Sequence, residues 1–265
     1  VSTIKIEIKV GANENDFQVN ASGSADVISL SAEELGLTDK ILKSAIALVN
    51  AQEFAPNVIH YNHPLHKEND LPLPTRHIKV LDIAIDSIEY KPTVLKTTTF
   101  DNSGNSDPAT YNASMTEVVT QTVGSSWSNG GSTDVKLGIQ YDIGFGVSAD
   151  WSTSYSEKWD KGHSHSKAVA LTSASGVRVT VQPGDKKIAT LSAQRGTLKV
   201  RVRYLTTYHG VVIGEYLPGR INFQKLLPFG VERLYFFDEE EDAIITTETI
   251  EIGFYSKAHV MISDA

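Results

Sequence analysis

The chain contains no cysteine among its 265 residues. Disulfides therefore contribute nothing to the fold, and cysteine usage carries no information about redox compartment. No run approaches the roughly 20 consecutive apolar residues of a membrane-crossing helix. Basic stripes are missing too. With 24 Lys and Arg against 32 Asp and Glu, the net charge of −8 removes nucleic acid as an expected partner and disfavours long-range attraction to an anionic membrane. Catalytic signatures are absent. There is no Gly-x-Ser-x-Gly elbow, no His-Glu-x-x-His helix and no phosphate-cradling Gly-rich loop. Gly144-Phe-Gly146 lacks the third glycine and following helix of a dinucleotide site. Nothing localises the paired carboxylates of a glycosidase. The chain is expected not to be an enzyme.

What the chain does have is alternation. Val135, Leu137, Ile139, Tyr141, Ile143, Phe145, Val147, Ala149 and Trp151 occupy odd positions. Lys136, Gly138, Gln140, Asp142, Gly144, Gly146, Ser148 and Asp150 fill the even ones. Successive strand side chains point to opposite faces, so one face is apolar and the other polar or bare. Ordinary strands run about five or six residues. This stretch is therefore either an unusually long ribbon or an amphipathic hairpin. Its parity never switches, so a turn within Val135–Trp151 holds an odd number of residues. Otherwise the tip lies in the polar Ser128–Asp134 segment.

Elsewhere, Ile4–Val10 alternates strictly and predicts a half-buried strand. Ser31-Ala-Glu-Glu34 has a capping-box pattern, and Thr38-Asp39 offers a second cap. Ile41, Leu42, Ala45, Ile46 and Val49 then recur at helical spacing and predict one amphipathic helix over about 39–54. Residues 57–77 hold His60, His63, His66 and His77 among Pro64, Pro72 and Pro74 and read as an irregular loop. His60-x-x-His63-x-x-His66 and His163-Ser-His165 have metal-like spacing. Without cysteine or a paired carboxylate motif, no metal site is expected. With Phe54, Tyr61 and Tyr90 nearby in sequence, the set Phe54, His60, Tyr61, His63, His66, His77 and Tyr90 is the candidate lining for a flat lipophilic ligand. His77–Tyr90 and Thr93–Phe100 read as strands punctuated by Pro92. Val177–Val181, Ile188–Leu191, Leu198–Tyr204, Val211–Tyr216, Val231–Phe237, Ala243–Ile252 and Phe254–Ile262 follow as further strands. Asp238–Asp242 is an acidic run of the kind that usually forms a solvated loop. Asn20-Ala-Ser22 and Asn112-Ala-Ser114 are glycosylation acceptors, with Asn20 and Asn112 as the modified residues. Together with a first residue that is valine, they suggest a processed, secreted, extracellular protein.

The order of elements carries a resemblance. A Thr/Ser-rich strand, a polar Gly-rich loop, the alternating segment and a Ser/Trp/Tyr-rich strand precede Val179-Thr-Val-Gln-Pro-Gly-Asp-Lys-Lys-Ile188 and Gly196-Thr-Leu-Lys-Val-Arg-Val-Arg-Tyr204. Over about residues 90–210 this is similar to the aerolysin-like β-pore-forming proteins, particularly the epsilon-toxin and mosquitocidal-toxin group and their spherulin-like relatives. The resemblance implies a mainly β, elongated antiparallel architecture with long twisted strands and a small α/β N-terminal part containing one helix. It marks 91–210 as a pore-forming-type β domain, while the flanking residues read as an N-terminal α/β lobe over 1–90 and C-terminal strands over 211–265 that complete the β body. It also implies a soluble monomer that forms a homo-oligomer and inserts an amphipathic hairpin into a membrane. The lipid-facing set would then be Val135, Leu137, Ile139, Tyr141, Ile143, Phe145, Val147 and Trp151. The lumen would see Lys136, Gln140, Asp142 and Ser148.

A second class of function stays open. The same fold would serve a soluble extracellular carrier or storage protein for a lipophilic molecule. The cofactor is then a non-covalent chromophore, a bilin or a carotenoid, or a lipid. The histidine and aromatic cluster at 54–90 motivates it.

Overall fold

A computed structural model describes residues 4–11, 16–35, 37–128, 139–145, 154–155, 164–173, 177–218, 224–236 and 245–265. Three very long strands organise it: β5 (Thr75–Asp101), β12 (Lys186–His209) and β15 (Ile245–Asp264). β12 lies between the other two and is antiparallel to both. At about 3.3 Å per residue, β12 alone runs roughly 80 Å. Register shifts interrupt the β12–β5 ladder after Leu191, Lys199 and Arg203. Such bulges raise local twist, which a flat ribbon of this length would lack. Two further strands, β7 (Thr116–Ser128) and β10 (Ser164–Thr172), extend the sheet beyond β15. β3 (Ser24–Ile28) covers the first residues of β5 on the other side.

Pro92 does not end a strand as its ring suggests. It sits within β5 opposite Gln194. β3 pairs only with Thr75–Lys79, so at Pro92 β5 is the sheet edge among the described residues. A missing N–H is tolerated there.

A second sheet, in the order β2 (Gln18–Ser22), β1 (Ile4–Val10), β8 (Ile139–Phe145), β9 (Ser154–Tyr155), packs against this ribbon. β1 buries Ile4, Ile6, Ile8 and Val10 on one face, as its alternation predicts. They meet Leu198, Val200 and Val202 of β12 and Ile250, Ile252 and Phe254 of β15 in the main core.

The helical end forms a separate core. α1 (Asp39–Val49) is capped by Thr38, whose hydroxyl accepts from the Ile41 N–H. It buries Leu42, Ala45 and Ile46 against β4 (Val58–His60) and β13 (Val211–Tyr216), with Phe229 of β14 (Lys225–Gly230). The expected irregular loop contains a second, short helix, α2 (Pro64–Glu68). Pro64 starts it, because a missing N–H is harmless in a first turn. His63 is the cap. Val231–Phe236, expected as a strand, is a 3-10 helix. At the opposite end, β6 (Ala109–Asn112) pairs with β11 (Arg178–Val181) and covers a third core that includes Ala189 and Leu191 of β12.

Candidate functional site: a docked amphipathic segment

β7 and β10 are antiparallel neighbours, and residues 129–163 connect them. Their register runs from Thr116 opposite Thr172 to Gly124 opposite Ser164, so every pair is symmetric about position 144. The connection does not simply continue this ladder. Its described middle, β8, leaves the ribbon and joins the second sheet. There it pairs in parallel with the whole of β1, from Ile4 opposite Ile139 to Val10 opposite Phe145. On its other side Tyr141 faces Tyr155 and Asp142 faces Ser154 of β9.

The apolar parity of the segment explains the docking. Ile139, Tyr141 and Ile143 are the odd positions of β8 and are 2%, 0% and 0% exposed. All three belong to the main core. Burying a side chain of this size is worth about 1.5–3 kcal/mol, so the face that an aqueous strand must hide is hidden against the ribbon. Of the other expected membrane-face residues, Phe145 closes β8. Val135, Leu137, Val147 and Trp151 lie outside the described residues.

One polar group sits inside this packing. Glu248 of β15 is fully buried, and each of its oxygens accepts a tyrosine hydroxyl. The Tyr141 hydroxyl donates to Oε1 at 2.7 Å, and the Tyr204 hydroxyl of β12 donates to Oε2 at 2.6 Å. Trp127 of β7 faces Glu248 across the ladder and stacks on Tyr204, with centroids 5.2 Å apart. Burial pushes the Glu248 carboxyl up to about 7. The hydroxyls of Tyr141, Tyr204 and Ser125 pull the other way. Ser125 is close enough to exert that pull, yet its Oγ makes no hydrogen bond of ordinary geometry. Burial, then the adjacent carboxylate, raises both tyrosines well above the ordinary phenol range, so they remain donors. One carboxyl thus ties the docked segment to the central strand.

Sequence reasoning passed over Glu248. The signal was its parity: it is in phase with Ile250, Ile252 and Phe254, the inward face of β15.

The candidate ligand residues separate into groups. His60 and His63 have rings 4.9 Å apart, and His60 Nε2 lies 2.7 Å from Glu215 Oε2. That contact, with a hydrogen bond from Gln224, holds the Glu215 carboxyl below its usual range. His63 Nδ1 accepts from the Leu65 N–H at the start of α2. His66 is buried with both nitrogens engaged: Nδ1 accepts from the His63 N–H, and Nε2–H donates to the Val211 carbonyl. Tyr61 packs on the helical core, and burial raises its hydroxyl above the ordinary range. Phe54 is exposed. His77 contacts Asp26 on β3 instead. Tyr90 lies further along β5 against Phe254, at 5.9 Å between centroids. A recess of about 430 Å³ beside Tyr90 is lined also by Glu89, Lys91, Arg195 and Thr197, and by none of the histidines. Among the described residues, no three His, Asp or Glu side chains are arranged to hold a metal ion. No described helix is long and apolar enough to cross a membrane, which leaves strands untested. Asn20 and Asn112 are both exposed.

No protein-family model matches the chain. Among curated proteins it is similar to U-megalopygitoxin(8)-Mc8 of Megalopyge crispata, 26% identical over 239 residues, which are 88% of this chain and 81% of the relative. It is also similar to U-megalopygitoxin(8)-Mo15 of Megalopyge opercularis, 25% identical over 256 residues, 94% of this chain and 81% of the relative. Among solved structures, parasporin-2, a Bacillus thuringiensis toxin that recognizes cancer cells, superposes with a TM-score of 0.62 at 12% identity, over 91% of this chain and 98% of that one. Long antiparallel strands, the packed second sheet and this superposition agree: the chain has the elongated, mainly β aerolysin-like fold.

Proposed function

We propose that this chain is a secreted, non-enzymatic, membrane-active protein that oligomerises and inserts the 129–163 connection as an amphipathic β-hairpin. The observation that carries this reading is the β7–β10 register, symmetric about Gly144. Continued through the connection, it pairs Tyr141 with Val147, Ile139 with Ala149 and Leu137 with Trp151. The turn then centres on Gly144 and holds an odd number of residues, as the unbroken parity requires. A three-residue turn, 143–145, leaves arms of nine residues, 134–142 and 146–154. A membrane strand needs about 9–11 residues with alternating faces. Lipid would meet the odd set, and closure of several hairpins into a barrel leaves no backbone edge unpaired in lipid. The docked register is different: Tyr141 faces Tyr155 in β8–β9. Insertion therefore requires β8 to leave β1 and bend at Gly144. The toxin names of the megalopygid relatives agree with a membrane-active, extracellular role.

The test is dye release from vesicles of varied lipid composition, with and without protease treatment. The proposal predicts release together with a heat-resistant oligomer. Silence across all compositions would sink it, and a bilin, carotenoid or lipid extracted at stoichiometric amount would favour the carrier instead.

A further inference from the structure

We infer that Glu248 is a pH-dependent anchor for β8: its neutral carboxyl holds the segment docked, and its ionisation as pH rises loosens it. The inference rests on the reading above in taking release of β8 as the activating step.

The geometry makes Glu248 suited to this role. The group is 0% exposed within an apolar core and lies where three strands of the ribbon meet the docked segment. Every described element around it can be named. β8 offers the Tyr141 hydroxyl, β12 the Tyr204 hydroxyl, and β7 the Ser125 hydroxyl and the Trp127 ring. β1 presents Ile4, Ile6 and Ile8 to the same core. No described lysine, arginine or histidine offsets a charge on the carboxyl. An ionised carboxylate here has hydroxyl donors but no counter-ion among the described residues, and isolated buried charge is strongly disfavoured.

Undocking changes the group's surroundings. Once β8 leaves, Tyr141 leaves with it, and Glu248 meets water as an ordinary carboxylate. Docking therefore takes up a proton in the window between the ordinary carboxylate value and the docked value of about 7. The docked state is favoured at the acid end of that window. The advantage is lost as pH rises through it, and above it the docked carboxyl is charged. The shift corresponds to a change on the order of a hundredfold in the docking equilibrium between pH 5 and pH 8.

The experiment is amide hydrogen exchange by mass spectrometry on the soluble full chain, without membranes, at pH 5 and pH 8 and corrected for intrinsic rates. Protection of Ile139–Phe145 is compared with that of Leu198–Tyr204 in β12. In the wild-type protein, protection of the first segment is expected to fall about a hundredfold at pH 8 and to lie below that of the second at that pH. Glu248→Gln, neutral and of the same shape, is expected to stay protected at both pH values. Wild-type protection that stays flat or rises with pH overturns the inference, as does a Glu248→Gln profile that tracks wild type. Should that variant not fold, Tyr141→Phe serves. It removes a hydroxyl that favours the charged form and must move the transition to higher pH; an unmoved transition counts against the anchor. The two proposals fail separately. Absent vesicle leakage with an intact pH response removes the pore reading alone, and leakage with a flat exchange profile removes the anchor alone.

Discussion

Tyr141 and Glu248 are 107 residues apart in sequence and share a 2.7 Å hydrogen bond where the carboxyl has no contact with solvent. The bond joins the amphipathic segment to a ribbon strand. It places a polar tie in the middle of an interface that is otherwise held by apolar burial. Removing one partner of such a tie is more damaging than its net worth suggests, because the other is left unsatisfied.

The first prediction concerns that tie. Tyr141→Phe keeps the ring packed but deprives Glu248 Oε1 of its donor. Stability is expected to fall by about 1–3 kcal/mol, read from the denaturant midpoint. An unchanged midpoint would mean that the hydroxyl contributes nothing to the docked state.

The second concerns pH. Glu248 is raised in the folded protein to about 7 from an ordinary value of 4.5. Between those values the folded state binds more protons than the unfolded one, so stability falls as pH rises. The contribution is fully present below about 4.5 and lost by about 7. Denaturant melts at pH 5 and pH 8 are expected to show wild type losing more stability than Glu248→Gln. Equal losses would contradict this assignment.

A third prediction tests packing at the waist of the ribbon. Gly196 faces Phe254, and a Cβ at position 196 would stand 2.2 Å from the ring's Cζ. Phe17 and Tyr90 pack edge-on to the same ring at 5.7 and 5.9 Å between centroids, so it has little room to move. Gly196→Ala is expected to destabilise by about 1–3 kcal/mol. Adding Phe254→Leu should make the two changes less than additive in a double-mutant cycle. Strict additivity would rule out the proposed clash.

Much of this architecture was legible in the sequence because one physical rule governs it. Period-two alternation located β1 and the inward face of β8, and the Thr38 cap located α1. Pro92 and Pro64 misled, for related reasons. A missing N–H breaks an interior strand or helix, but one lies on a sheet edge and the other opens a helix. Val231–Phe236 is too short for its apolar content to separate a strand from a 3-10 turn. The parallel β1–β8 pairing joins segments far apart in the chain, and no local pattern encodes such a partner. Glu248 is the instructive omission. An acidic residue flanked by threonines looks like a solvent-face residue, and only its phase with Ile250 and Ile252 reveals that it points inward.

The fourth prediction distinguishes the two places a hairpin tip could fall. The register symmetric about Gly144 sets Gln140 opposite Ser148 in the inserted hairpin. The chain has no cysteine, so Gln140→Cys with Ser148→Cys creates a single pair of thiols. Cross-linking is expected in the membrane-bound oligomer and much less in the soluble protein. A tip in the Ser128–Asp134 segment would leave the pair uncross-linked on membranes.

The most direct measurement locks β8 where it is docked. Lys5 of β1 and Gln140 of β8 are register partners, and replacing both with cysteine allows a disulfide across the parallel pair. Vesicle dye release is then followed for the oxidised protein and for the same sample after reduction. The account predicts no release while the strands are locked and release comparable to wild type once the bond is reduced. Equal release from the oxidised and reduced forms would show that β8 never needs to leave β1, and would contradict the central claim.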